Sequence, residues 1–266
     1  MKVSTLLKGV MIVPIKSPKW SFVFNLIFPL GIIFGLYCID FIYFRKVNEL
    51  GQLNFYCNYS GHIPPHITQE VQQRLLMHNI VVNNNISLFF TSSEQEFNVF
   101  TYFMLRGTLA GTYGITNKIF INQAALESNV MDLRFEEFPR KLSDVIVHEV
   151  THIYMNQKEG YFSHTYFLES WKKEGFCDYV AGTSRLKHDR GMNYFLNDSL
   201  HEELQDKNDK LSERYFYFSS RLYMDYLLRQ KKNTLNEIIK SDINLKLLRL
   251  DIKDQILRGS YKPFLK

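Results

Sequence analysis

From Asp144 to His152 the chain reads Asp-Val-Ile-Val-His-Glu-Val-Thr-His, and this stretch limits what the rest of the chain can fold into. Leu142, Ile146, Val150 and Ile153 recur with helical period and make a core-facing stripe, while Val145, His148, Glu149 and His152 lie on another side. On a helix the two imidazoles stand one turn apart and point the same way, which is the bite a tetrahedral zinc ion needs. Glu149 then sits beside the metal position. Its carboxylate can take a proton from a zinc-bound water whose acidity the metal has raised. The H-E-x-x-H pattern points to hydrolysis, and it calls for a second element to complete the ligand set.

A catalytic zinc site takes a third protein ligand and keeps one position open for water. Glu174, twenty-two positions after His152 and within Trp171-Lys172-Lys173-Glu174-Gly175-Phe176-Cys177-Asp178-Tyr179-Val180, is the candidate. A helix there places Asp178 one turn beyond Glu174 on the same face. From that position it can accept the other ring N–H of His148 and fix the tautomer of the ligand. Gly175 removes a side chain where this helix packs against the first. His164 is an outside candidate for the third ligand, and His62, His66, His78, His188 and His201 read as solvated.

These residues resemble the gluzincins, the zinc metallopeptidases related to thermolysin and aminopeptidase N, and especially their compact peptidase MA-like domains. The resemblance rests on His148-Glu149-Val150-Thr151-His152, on Trp-x-x-Glu-Gly-x-x-Asp-Tyr-Val from Trp171 to Val180, and on Tyr217-x-x-Ser220 leading to Tyr226-Leu227. It spans roughly Ile67 to Ile239 and implies an α+β, mostly helical zincin-like domain with a small mixed sheet. By that similarity His148, His152 and Glu174 are the zinc ligands, Glu149 is the general base and Asp178 is the carboxylate behind His148. Tyr217 is the donor that stabilises the oxyanion of the tetrahedral intermediate, with Tyr215 and Tyr223 as competitors for that role.

The resemblance implies a peptide or protein substrate. Aminopeptidases hold a substrate's free amine with a Gly-x-Met-Glu-Asn stretch, and the corresponding region here reads Gly107-Thr108-Leu109-Ala110-Gly111-Thr112-Tyr113-Gly114, so an endopeptidase is expected. Met155 and Lys158 stand where an extended metzincin motif needs glycine and a third histidine, which excludes that family. The alternative is a catalytically silent, zinc-stabilised, membrane-tethered domain for binding or assembly. A purely structural site has no need of Glu149, and this favours the enzyme.

At 266 residues and 45% apolar the chain can bury one sizeable core with an appendage. The formal charge of +5 is spread without a long Lys/Arg run, which excludes a nucleic-acid footprint. Trp20 to Ile39 carries no charge over twenty residues, and apolar character continues to Phe44. That length suits one transmembrane helix over 20–44 in contact with the lipid bilayer. Lys2, Lys8, Lys16 and Lys19 precede it without an acidic residue, so residues 1–19 are expected to be a cytoplasmic tail and the catalytic domain extracytoplasmic. Residues 45–64 read as a polar connector ended by Pro64-Pro65, and 65–266 as the metallopeptidase-like domain. Outside the span only Cys57 and Cys177 remain for a disulfide, and nothing in the sequence shows that they meet.

Within the domain, helices are expected over Thr68 to His78 and Ser93 to Leu105, and strands over Ile86 to Thr91 and Lys118 to Asn122. The glycines of Gly107 to Gly114 suit a sheet edge beside a cleft. Pro139 opens the histidine helix and Gly160 closes it. Tyr215 to Leu228 and Thr234 to Ile256 are the clearest later helices.

Overall fold

The computed structural model describes residues 43–58, 62–101, 108–122, 124–125, 129–131, 140–183, 185–206 and 209–263. The chain divides into two compact units, Met1–Arg45 and Lys46–Lys266, and the architecture below belongs to the second. In order, its elements are strands β1 (Arg45–Leu50) and β2 (Leu53–Cys57), helix α1 (Pro65–Met77), β3 (Ile86–Phe90), α2 (Glu94–Phe100), β4 (Ala110–Tyr113), β5 (Lys118–Ile121), and the short pair β6 (Ala124–Ala125) and β7 (Val130–Met131). Helices follow: α3 (Leu142–Glu159), a π-helical turn (Ser163–Phe167), α4 (Ser170–Ala181), α5 (His188–Leu196), α6 (Asp198–Asp206), α7 (Lys210–Asp225), a second π-helical turn (Tyr226–Gln230), α8 (Leu235–Lys240) and α9 (Leu245–Leu257). The fold is α+β, rich in helix, with a small mixed sheet.

The sheet has the order β1-β2-β3-β5-β4, with β2, β3 and β5 parallel and β4 antiparallel to β5 at one edge. Its central strands are almost continuously apolar, as strands covered on both faces must be. Alternate residues Phe55, Leu88, Phe90, Ile119 and Ile121 join the core beneath the helices. On the other face Tyr56, Phe89 and Phe120 stack with ring centroids 5.0 Å apart, and α2 adds Phe100.

Helix α3 starts where Asn129, in the left-handed region at φ 52°, lends its Oδ1 to the Ser143 N–H at 2.9 Å. That satisfies one of the donors a helix start leaves unpaired. Asp144 pairs with Arg74 of α1 at 2.7 Å, and Gly160, at φ +84°, ends the helix as expected. Every residue from Leu142 to Thr151 is buried, so the helix is core on all sides rather than along one stripe. Helix α4 packs along both α3 and α7. Its Gly175 meets α7, not α3 as the sequence suggested: a Cβ there would lie 2.5 Å from the Ser220 carbonyl oxygen.

Four expectations need correction. The connector over 45–64 contains two strands, and Leu53, Phe55 and Cys57 of β2 are core residues; the polar neighbours of a five-residue strand hid it. The transmembrane helix over 20–44 falls, up to residue 42, outside the described residues. Among the described residues no helix is long and apolar enough to cross a membrane, so the single-pass anchor and the extracytoplasmic placement built on it are not supported. The helix expected over Thr234 to Ile256 is two, because Ser241 turns extended and Asn244 caps a new start by accepting from the Leu247 N–H at 3.1 Å. His201, read as solvated, is buried, as is His164. Gly107 and Pro139, and 102–105 of the helix expected to end at Leu105, lie outside the described residues.

Candidate metal centre

Helix α3 supplies His148 and His152 one turn apart, and α4 crosses it with Glu174 facing both. The three donor atoms form a near-equilateral triangle. His148 Nε2 and His152 Nε2 are 3.2 Å apart, and Glu174 Oε2 lies 3.3 Å from the first and 3.6 Å from the second. Ligand atoms about 2.0–2.1 Å from a tetrahedral zinc stand about 3.3 Å from one another. The triangle therefore fits zinc on three corners and leaves the fourth toward the cleft.

Behind the triangle, Asp178 is fully buried and its Oδ1 accepts from His148 Nδ1 at 2.7 Å. This leaves the lone pair of His148 on Nε2, the atom in the triangle. Burial works against the charge on Asp178, but His148, with Arg140 and Arg185, outweighs it and holds the carboxyl below the usual range. Arg140 Nη2 is 3.7 Å from the same oxygen. Burial likewise opposes a charge on His148, yet Asp178 and Glu174 raise its pKa to about 9. A cation entering the triangle displaces that proton, so its affinity falls as pH drops. Glu174 lies well below the usual carboxylate range because His152 and His148 overcome the cost of burial.

Glu149 is outside the triangle. Its Oε2 accepts from Thr112 Oγ1 at 2.7 Å, which ties the carboxylate to edge strand β4. Thr112, Gly111 and Ala110 line one wall of a cleft of about 580 Å³ that also contains His148, Glu149 and Glu174. Tyr217 of α7 lines it too, whereas its two competitors are core residues: Tyr215 bonds His201 at 2.6 Å, and Tyr223 packs edge-on against Trp171 and Phe195. Burial raises the Tyr217 pKa despite Arg185, so its phenol keeps its proton and can donate it.

Two further donors lie close. The ligating atoms of His148, His152 and Cys177 fall within 4.8 Å of one another. Burial, reinforced by Glu174, Glu149 and Asp178, raises the Cys177 pKa well above its ordinary value, and a neutral thiol is a poor ligand. Glu174, already charged and at tetrahedral spacing, is the stronger third donor. Cys177 and Cys57 are both buried and are not joined to each other. The His164 ring centroid is 5.8 Å from that of His152, and burial with the His152 and Lys173 charges pushes its pKa down to about 3. Thr112 and Arg185 were not anticipated from the sequence. They reach the site from β4 and from the bend after α4, and neither belongs to a motif.

No protein-family model matches this chain, and no curated protein matches it. What the site can do follows from its donor set. Two neutral-capable imidazoles, one carboxylate, an open fourth corner and a separate carboxylate beside it suit a Lewis-acidic cation and a proton acceptor working together.

Proposed function

We propose that this chain is a zinc-dependent hydrolase of peptide or related amide bonds, built on the gluzincin pattern of H-E-x-x-H with a downstream glutamate. The observation that carries the proposal is the triangle of His148, His152 and Glu174 at tetrahedral spacing, with Glu149 held outside it by Thr112. His148, His152 and Glu174 hold the ion, and Asp178 orients His148. Bound zinc supplies Lewis acidity to water and to the scissile carbonyl. Glu149 accepts the proton of the attacking water and passes it to the leaving amine. Tyr217, protonated at the cleft wall, donates a hydrogen bond to the oxyanion. The edge of β4 offers backbone groups along which an extended peptide can lie.

The experiment compares wild type with Glu149→Gln in zinc content and in cleavage of a mixed peptide library. The variant should keep its zinc, about one per chain, and lose roughly 10²–10⁴-fold in hydrolysis. Zinc-loaded wild type that cleaves nothing would favour a silent zinc-stabilised domain, and equal activity in the two proteins would refute the role of Glu149.

A further inference from the structure

Arg185 stands in the bend between α4 and α5 with 19% of its side chain exposed. Its guanidinium carbon lies 3.3 Å from the centroid of the Tyr217 ring, so one face of the planar group is covered by the phenol. Bonding is left to its in-plane N–H edges. Nε is buried and makes no hydrogen bond among the described residues. Nη1 faces Glu213 Oε1 at 3.5 Å, longer than the 2.7–2.9 Å or so of a formed charge-assisted bond. Glu213 is itself 61% exposed, which leaves it free to swing into water.

The other acids nearby are committed. Asp178 serves His148 and Arg140, Glu174 completes the triangle, and Glu149 is tied to Thr112. Of the α7 residues that line the cleft, Lys210 and Arg214 are basic and Glu213 is the acid. A buried donor without a partner is costly, the more so on a charged group, and a planar fork in a cation-rich wall matches a carboxylate in two-point geometry.

We propose that Arg185 anchors a carboxylate of the peptide lying in the cleft. This deepens the hydrolase reading by naming the substrate class: peptides whose free C-terminus or whose Asp or Glu side chain reaches Arg185. Tyr217 holds the guanidinium plane, so the anchor and the oxyanion donor are positioned together. Carboxylate binding needs no metal, which separates the anchor from the hydrolytic chemistry.

The test uses the full chain carrying Glu149→Gln and three labelled peptides of one apolar sequence: a free C-terminal acid, its C-terminal amide, and the amide with one central Asp. Fluorescence anisotropy is read with zinc and with chelator. At least one acidic peptide should bind about 10–100-fold tighter than the plain amide in both conditions, as expected for bonds to a charged group. The favoured peptide tells whether the chain end or a side chain is the source. Adding Arg185→Met should reduce that preference to less than about threefold while leaving the amide's affinity in place, and Arg185→Lys should restore only part of it. Glu213→Gln, which removes the competing carboxylate and is remote from the core, should tighten acid binding. No preference in the parent, no binding of any peptide, an unchanged preference in a folded Arg185→Met protein, or weaker acid binding in Glu213→Gln would each overturn the anchor. An Arg185-dependent preference in a wild-type protein that hydrolyses nothing would keep the anchor and remove the hydrolase.

Discussion

Three side chains compete for the third corner of the candidate metal centre, and their geometries rank them. Glu174 Oε2 sits 3.3 and 3.6 Å from the two imidazole nitrogens, close to the edge of a zinc tetrahedron. Cys177 is near but carries a thiol that burial keeps protonated, and His164 is offset by a ring-to-ring distance of 5.8 Å. In structural zinc sites with four protein ligands an apparent affinity of about 10–16 kcal/mol makes one ligand worth roughly 3–4 kcal/mol, and the same scale is applied to Glu174. Glu174→Ala should therefore weaken zinc by about 10²–10³-fold. Glu174→Gln, which keeps an oxygen but no charge, should fall between that variant and wild type. Cys177→Ser and His164→Ala should each change affinity by less than about threefold.

Competition against a chromophoric chelator at fixed pH measures all four variants on one scale. Repeating the wild-type titration across pH adds an internal check. One displaced proton on His148, with its pKa raised to about 9, should cost close to tenfold in affinity for each pH unit below that value. Loss of zinc in Cys177→Ser or His164→Ala as large as in Glu174→Ala would refute the ranking. A flat pH dependence between 7 and 9 would refute the account of His148.

Two further outcomes follow from the scaffold. Gly175→Ala places a Cβ 2.5 Å from the Ser220 carbonyl oxygen, a backbone atom that cannot rotate away. Overpacking of about 1–3 kcal/mol should exceed the helix-propensity gain of about 1 kcal/mol, so urea unfolding should show a net loss and zinc affinity should drop as α4 is displaced; unchanged values in both would contradict the close α4–α7 contact. His201, buried against Tyr215 with its pKa pushed down to about 4, contributes stability as a neutral ring above about pH 6.5, and loses it as pH falls through about 4. In His201→Phe that acid-side slope should flatten by up to about 3 kcal/mol between pH 7 and 4, and an identical slope in urea unfolding would show that another group titrates there.

The triangle of His148, His152 and Glu174 was legible because each of its parts is periodic and local. His148 and His152 share a helix face by their spacing alone, and Glu174 and Asp178 share another, so only the crossing of two helices remained unknown. Tyr217 needed more. Tyr215, Tyr217 and Tyr223 occupy one amphipathic helix, and nothing in their spacing says which of its sides meets the cleft. That choice is made by the pockets around His201 and Trp171, which take Tyr215 and Tyr223 into the core. Strand β2 was missed for the opposite reason. Five residues with Asn54 among them give a weak period, and their strand state comes from pairing with β3, thirty-three positions along the chain from Leu53 to Ile86.

Thr112 and Arg185 show what no local pattern carries. Each lies in a short irregular or edge segment, and each acquires its role from a partner that folding delivers: Glu149 from α3 for the threonine, Tyr217 from α7 for the arginine. Their arrangement gives the cleft two unlike walls. On the proposed reading, the uncharged residues Ala110, Gly111 and Thr112 of the sheet edge would take substrate backbone, and Arg185, with Lys210 and Arg214 of α7, would take its charge. A peptide engaging both would be fixed at two points, which is how remote binding is converted into orientation at the reacting atoms.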